Sequence, residues 1–345
     1  MQIETIPFGK MPDGREVSLF RMTNETGAVT EITNYGARIV RILVPDKDGA
    51  LTSVIKGFDM LEGYLSDTCY LGAICGRYAN RIAKGIFIAD GEEYFLTPNN
   101  GENSLHGGPM GFHAQVWDAV IEGESLVLTY LSRDNEEGFP GNLKVEVVYA
   151  WSETNELSLE ISANTDKATP VNITNHAYFN LNGGGDILNH TLRINATRYV
   201  PILPNAIPNG EIRLIQGTAF DFSTSKTIGK DIDLDEQQLL NGAGYDHCFV
   251  LNKEEFGDLV LAAEASAPES GIALRIYTTL PGVQFYSGNY LSSEIPGLEG
   301  GLYEKRQAFC LEPEFFPDSP NQSGFPCCIL RPEETFQQTI IFQFY

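Results

Sequence analysis

The chain has 345 residues and a formal net charge of −23, with 23 Lys and Arg against 46 Asp and Glu, so it lacks the basic stripe that a nucleic-acid partner requires. Its composition, 42% hydrophobic and 20% charged, is that of an ordinary globular protein, and no run approaches the roughly 18 to 20 apolar residues that span a bilayer. Length alone admits two average domains or one large β unit; with no repeat, no low-complexity tract and no Pro/Ser-rich linker, a single domain over 1–345 is expected.

In chain order, the opening "MQIETIPFGKMPDG" has no basic n-region, apolar run or small-residue cleavage site, so a cytoplasmic protein is expected. "AVTEITNYGARIVRILVP" then reads as strand, and "GFDMLEGYLSD" near 57–67 as a short helix. In "GAICGRYANRIAKG", Arg77 and Arg81 lie four apart, one face if helical, but Gly76 and Gly85 suit a loop with strand ends equally well. "PNNGENSLHGGPMGF" is a loop whose Gly and Asn residues let backbone approach a ligand, with His106 either presented to that ligand or turned to water.

Alternating strands follow in "SLVLTYLS", "LKVEVVYAWS" and "LSLEISAN". In "VNITNHAYFNLNGG", residues 171–184, a strand period puts Val171, Ile173, Ala177 and Phe179 on one face, and Asn172, Thr174, His176, Tyr178 and Asn180 on the other. The polar face suits a solvated sheet or a binding surface around His176.

"LDEQQLL" near 234–240 is a second short helix. "GAGYDHCFV" places Asp246 and His247 on opposite strand faces, and "LRIYTT", "GVQFYSG" and "TIIFQFY" are further strands, the last expected to pair into a sheet. In "AFCLEPEFFPDSPNQ", Glu312 and Glu314 share a strand face among aromatics, where burial would raise a carboxyl pKa and suit it to proton transfer. His113 and His190 read as structural. The fold class is all-β, a large antiparallel sandwich with a few short helices.

The six cysteines form no C-x-x-C unit and read as free packing thiols, and the N-x-S/T triplets at Asn172, Asn195 and Asn321 as chance matches. His106, His176, Asp246, His247 and Glu312 could each ligate a metal, yet no H-E-x-x-H or clustered Cys/His spacing occurs, and no metal is expected. P-loop, G-x-G-x-x-G and G-x-S-x-G patterns are absent.

Taken in order, "GRYANRIAKG", "NNGENSLHGGPMGF", "NITNHAYFNLNG", "GYDHCFVL", "PGVQFYSGN" and "LEPEFFPDSPNQSGFPCCILRPEETF" resemble the aldose 1-epimerase (galactose mutarotase) family, from about residue 30 to the C-terminus. The resemblance implies a galactose-mutarotase-type β-sandwich that interconverts α and β anomers of free hexoses such as galactose and glucose, with no cofactor. It also implies His176 as general acid and Glu312 as general base, with Asn80, Arg81, His106, Tyr178, Asp246 and Gln284 around the sugar. Relatives often carry Gln where this chain has Glu314, and a Lys near Gln115. A hexose-phosphate relative and a non-catalytic sugar-binding sandwich are the alternatives. The partner is a monosaccharide, with neither nucleic acid nor membrane, and oligomeric state is left open.

Overall fold

The computed structural model describes residues 1–298 and 300–345. Gln2–Lys10, Glu16–Thr23, Val29–Thr33, Arg38–Pro45 and Leu51–Ser53 form a five-stranded antiparallel meander. A nine-stranded sheet runs in the order Asp118–Glu122, Ser125–Ser132, Leu143–Trp151, Glu156–Thr165, Phe336–Phe344, Ala273–Thr278, Val260–Ser266, Thr191–Ile194 and Lys226–Thr227. A six-stranded sheet runs Tyr178–Phe179, Phe309–Glu314, Gly282–Tyr286, Asp246–Leu251, Ala196–Tyr199 and Arg213–Leu214.

Most of the predicted strands form where the alternation places them. In Leu143–Trp151, Val145, Val147, Tyr149 and Trp151 are buried while Lys144 is exposed, the period-2 signature of a sheet with one face on a core. The C-terminal strand does pair in, between Glu156–Thr165 and Ala273–Thr278. Phe179 of the six-stranded sheet meets Phe342 of the nine-stranded sheet at 5.3 Å between ring centroids, so the two sheets face each other across a shared apolar layer. Helices are short: Leu61–Leu65 falls inside the predicted segment. Gln237–Gly242 begins at the second half of its segment, because Glu236 keeps extended backbone as the N-cap. Among the described residues no helix is long and apolar enough to cross a membrane.

The two faces of the six-stranded sheet have different fates. Phe179, Phe309, Leu311, Val283, Phe285 and Phe249 join the main core. Their neighbours in sequence, Tyr178, Cys310, Glu312, Gln284, Tyr286 and Asp246, share the opposite face, since Tyr178 pairs with Cys310, Gln284 with Glu312, and Asp246 with Tyr286.

Candidate functional site

Over that opposite face lies a cavity of about 490 Å³. Asn80, Arg81, His106, His176, Tyr178, Asp246, Gln284 and Glu312 all line it. They come from six stretches of chain, brought together by the six-stranded sheet and by the loops around residues 80 and 106.

His176 does not sit in one continuous strand, as the alternation predicted. Thr174–Asn175 pairs with Ile74–Cys75, whereas Tyr178–Phe179 pairs with Phe309–Glu314. Between these two short pairings the His176 backbone N–H donates to the Ala73 carbonyl (2.8 Å), and its carbonyl accepts from the Gly72 N–H (3.0 Å). The change of partner turns the histidine ring to the cavity on a backbone with both polar groups satisfied. Nor is its polar face solvated: Asn172, Thr174 and Asn180 are fully buried and outside the cavity lining. Asn172 Nδ2 donates to the Ala79 carbonyl (3.0 Å) while its Oδ1 accepts from the Phe315 N–H (2.9 Å). Asn180 Nδ2 reaches the carbonyls of Gly184, Gly185 and Gln307. Asn172 and Asn180 thus brace the segment.

At the cavity floor His176 Nε2 and Glu312 Oε2 stand 3.5 Å apart. The His176 ring stacks on Tyr178 at 5.0 Å and 22°. Above it, His106 crosses at 5.2 Å and 73°. His106 is itself oriented through Nδ1, which accepts from the Asn80 backbone N–H (3.1 Å), so the ring's proton lies on Nε2. Opposite them, Gln284 Nε2 donates to Asp246 Oδ1 (2.7 Å), Arg81 Nη1 lies 4.0 Å from Asp246 Oδ2, and Arg81 Nε donates to Asn100 Oδ1 (3.0 Å). Glu312 Oε2 and Gln284 Oε1 have no hydrogen-bond partner in the protein, although buried polar atoms nearly always find one. They are acceptors available to a polyhydroxylated ligand.

Burial sets the protonation. It raises the Glu312 carboxyl well above the usual carboxylate range; the charge of Asp246 adds to this and Arg81 opposes it. Burial lowers His176 to about 3, and drives His106 well below its ordinary value with help from His176 and Arg81. Asp246 is raised by burial, against Arg81 and the Gln284 hydrogen bond. At the floor, burial thus raises the proton affinity of the carboxyl and lowers that of the imidazole, which brings the two together. Donor atoms of His106, His176 and Glu312 also lie within 4.8 Å of one another, a spacing a metal ion could use.

The other histidines and charged residues singled out in the sequence lie outside the cavity lining. Arg77 is buried and donates to the carbonyls of Pro140 and Gly141 and to Ser132 Oγ, away from the cavity. Glu314 shares Glu312's strand face but lies outside the lining, fully buried, with Oε1 accepting from Asn80 Nδ2 (3.0 Å). His247 packs on Phe220 on the core side, opposite Asp246. His190 Nε2 accepts from the Leu181 N–H (3.0 Å). Tyr70 was missed: its ring lies 4.7 Å from His106 and 6.1 Å from His176 and lines the cavity, and nothing in "SDTCYLGA" signals that. Tyr286 was also missed, although it stands two residues from Gln284 on the same face and strand alternation would have found it.

The family model for aldose 1-epimerase matches residues 18–343. A galactose mutarotase from Homo sapiens is 41% identical over 340 residues, covering 98% of this chain and 97% of the relative. An aldose 1-epimerase from Escherichia coli (strain K12) is 40% identical over 337 residues, 96% of each chain. Among solved structures, an aldose epimerase homologue from C. elegans superposes with a TM-score of 0.86 at 31% identity, covering 94% of this chain and 98% of that one. A galactose 1-epimerase from Lactobacillus acidophilus gives 0.86 at 28% identity, covering 100% and 98%. The chain belongs to the aldose 1-epimerase family.

Proposed function

We propose that this protein is a mutarotase that interconverts the α and β anomers of free hexoses such as galactose and glucose, with Glu312 as base and His176 as acid. The observation that carries the reading is the facing pair at the cavity floor, His176 Nε2 and Glu312 Oε2 at 3.5 Å. Once the proton of the pair has passed from Glu312 to His176 Nε2, Glu312 takes the proton of the C1 hydroxyl while His176 Nε2 gives one to the ring oxygen, and the bond from C1 to that oxygen breaks. The open aldehyde turns about the C1–C2 bond. The two groups then reverse roles, the hydroxyl proton returns, and the ring closes on the other face. In opening, the carboxyl gains a proton as the imidazole loses one, and in closure the reverse, so the buried floor never changes net charge. The levelled proton affinities of the pair serve this exchange.

Asn80, Arg81, His106, Asp246 and Gln284 hold the remaining hydroxyls, where a correct stereocentre satisfies buried donors and acceptors and a wrong one strands them. Tyr178 backs the acid. Among the described residues lining the cavity, Arg81 is the one Lys or Arg, and it already faces Asn100 and Asp246. That favours a neutral sugar over a hexose phosphate, which needs converging cations. The chain acts as one unit in the cytoplasm in this reading.

The test is polarimetry of freshly dissolved α-galactose. Wild-type protein is expected to speed equilibration, and Glu312→Gln or His176→Asn to lower kcat by about 10²–10⁴. A wild-type rate equal to buffer overturns the reading, and calorimetric sugar binding without acceleration would replace it with a binding module.

A further inference from the structure

The acid is gripped from both sides by one strand. Alternation along Phe309–Glu314 sets Cys310 and Glu312 on the cavity face, and the two reach different nitrogens of the same ring. Cys310 Sγ lies 3.5 Å from His176 Nδ1, and Glu312 Oε2 lies 3.5 Å from Nε2. Tyr178, which pairs with Cys310 in the ladder, stacks on the ring and fixes its plane. Cys310 is fully buried, and no step of the reaction uses it.

We propose that Cys310 is a positioning residue for the acid, its sulfur accepting the Nδ1–H of His176 so that Nε2 alone carries the travelling proton. For Nε2 to give its proton to the ring oxygen and take it back, Nδ1 must stay protonated throughout, in the imidazolium and in the neutral ring alike. An uncharged acceptor at Nδ1 keeps that tautomer. A carboxylate there would hold the imidazolium and oppose release of the Nε2 proton, because a neighbouring negative charge favours the charged ring. A thiol sulfur is a weak, neutral acceptor, and burial with Glu312 and Asp246 nearby keeps Cys310 a thiol. With Nδ1–H held by the sulfur, Nε2 is left facing Glu312 Oε2 at 3.5 Å, the nitrogen through which the pair exchanges its proton. No bond beyond this proton relay is made or broken.

The inference rests on His176 being the acid, and the experiment separates the two. Cys310→Ala is expected to lower kcat about three- to tenfold with KM within about twofold, as for loss of one neutral hydrogen bond; Cys310→Ser, which keeps an acceptor, is expected to restore it. Nitrogen-15 NMR of the His176 ring should show an Nδ1–H tautomer in wild type and in Cys310→Ser, and a mixture in Cys310→Ala. Wild-type kcat in Cys310→Ala beside an inactive His176→Asn overturns this inference alone, as does an Nε2–H tautomer in wild type. Full activity in His176→Asn overturns it together with the reading beneath it.

Discussion

Glu312 and Glu314 are two residues apart on one strand face, yet they meet different surroundings. Glu312 looks into the cavity, while Glu314, opposite Gly282 in the ladder, is covered by Asn80. Burial raises the Glu314 carboxyl well above its ordinary 4.5, the charge of Glu312 adds to this, and the Asn80 hydrogen bond opposes it. A folded-state pKa above the unfolded one means that the stability this group contributes is complete below 4.5 and lost as pH rises toward the folded value. Glu314→Gln removes that loss. The variant is expected to match wild type in melting temperature near pH 4 and to exceed it increasingly above pH 4.5. The gap should widen by up to about 1.4 kcal/mol per pH unit until the folded carboxyl ionises. Equal melting curves at pH 5 and pH 9 would show that Glu314 is ionised without cost. Glutamine also retains an acceptor for Asn80, so activity near neutrality should change little.

At the scale of elements, the loop that carries His106 depends on backbone that most residues cannot adopt. His106 itself has φ 51°, Gly107 has φ 84°, and a Cβ on Gly107 would stand 2.0 Å from the Gly76 carbonyl oxygen. Asn99 ties the loop shut, with Nδ2 donating to the Leu105 carbonyl and Oδ1 accepting from the Leu105 N–H. Gly107→Ala adds a left-handed penalty of about 1–2 kcal/mol to a steric collision, so the loop must shift. The expected result is destabilisation by about 2 kcal/mol or more and a raised KM for sugar, read by thermal melting and by initial rates against sugar concentration. An unchanged KM would mean that His106 does not contact the substrate. The glycines and asparagines showed a ligand-approaching loop in the sequence. The collision that makes Gly107 obligatory involves Gly76, far away in the chain.

Across the whole molecule, all five histidines are buried. Burial lowers His113, His176 and His247 to about 3 and His190 to about 4, with His106 also well below its ordinary 6.5. Depressed folded-state values mean that the unfolded chain binds more protons, so stability is present above 6.5 and lost as pH falls from there toward 3. The raised carboxyls of Asp246, Glu312 and Glu314 act oppositely, costing stability as pH rises above their unfolded values. Calorimetric melting temperatures are therefore expected to peak near neutrality and fall on both sides. A stability that stays flat from pH 7 to pH 4 would contradict the burial of the histidines as neutral rings.

What the sequence determined by itself was the one-dimensional side of this protein. Alternation marked Ser125–Ser132, Leu143–Trp151 and Gly282–Tyr286 as strands because side-chain direction in a strand repeats every two residues. The motifs around His176 and Glu312 carried the family. Alternation tells which residues share a face, but not what covers it. Only the tertiary structure decided that Asn172 and Asn180 are buried braces, that Arg77 supports loops while Arg81 lines the cavity, and that Glu312 is open to a ligand where Glu314 is sealed. It alone brought Tyr70 against His106 and the Cys310 sulfur against His176 Nδ1. Those contacts join residues distant in sequence, and burial, which sets every proton affinity at the cavity floor, exists only after the sheets have closed on each other.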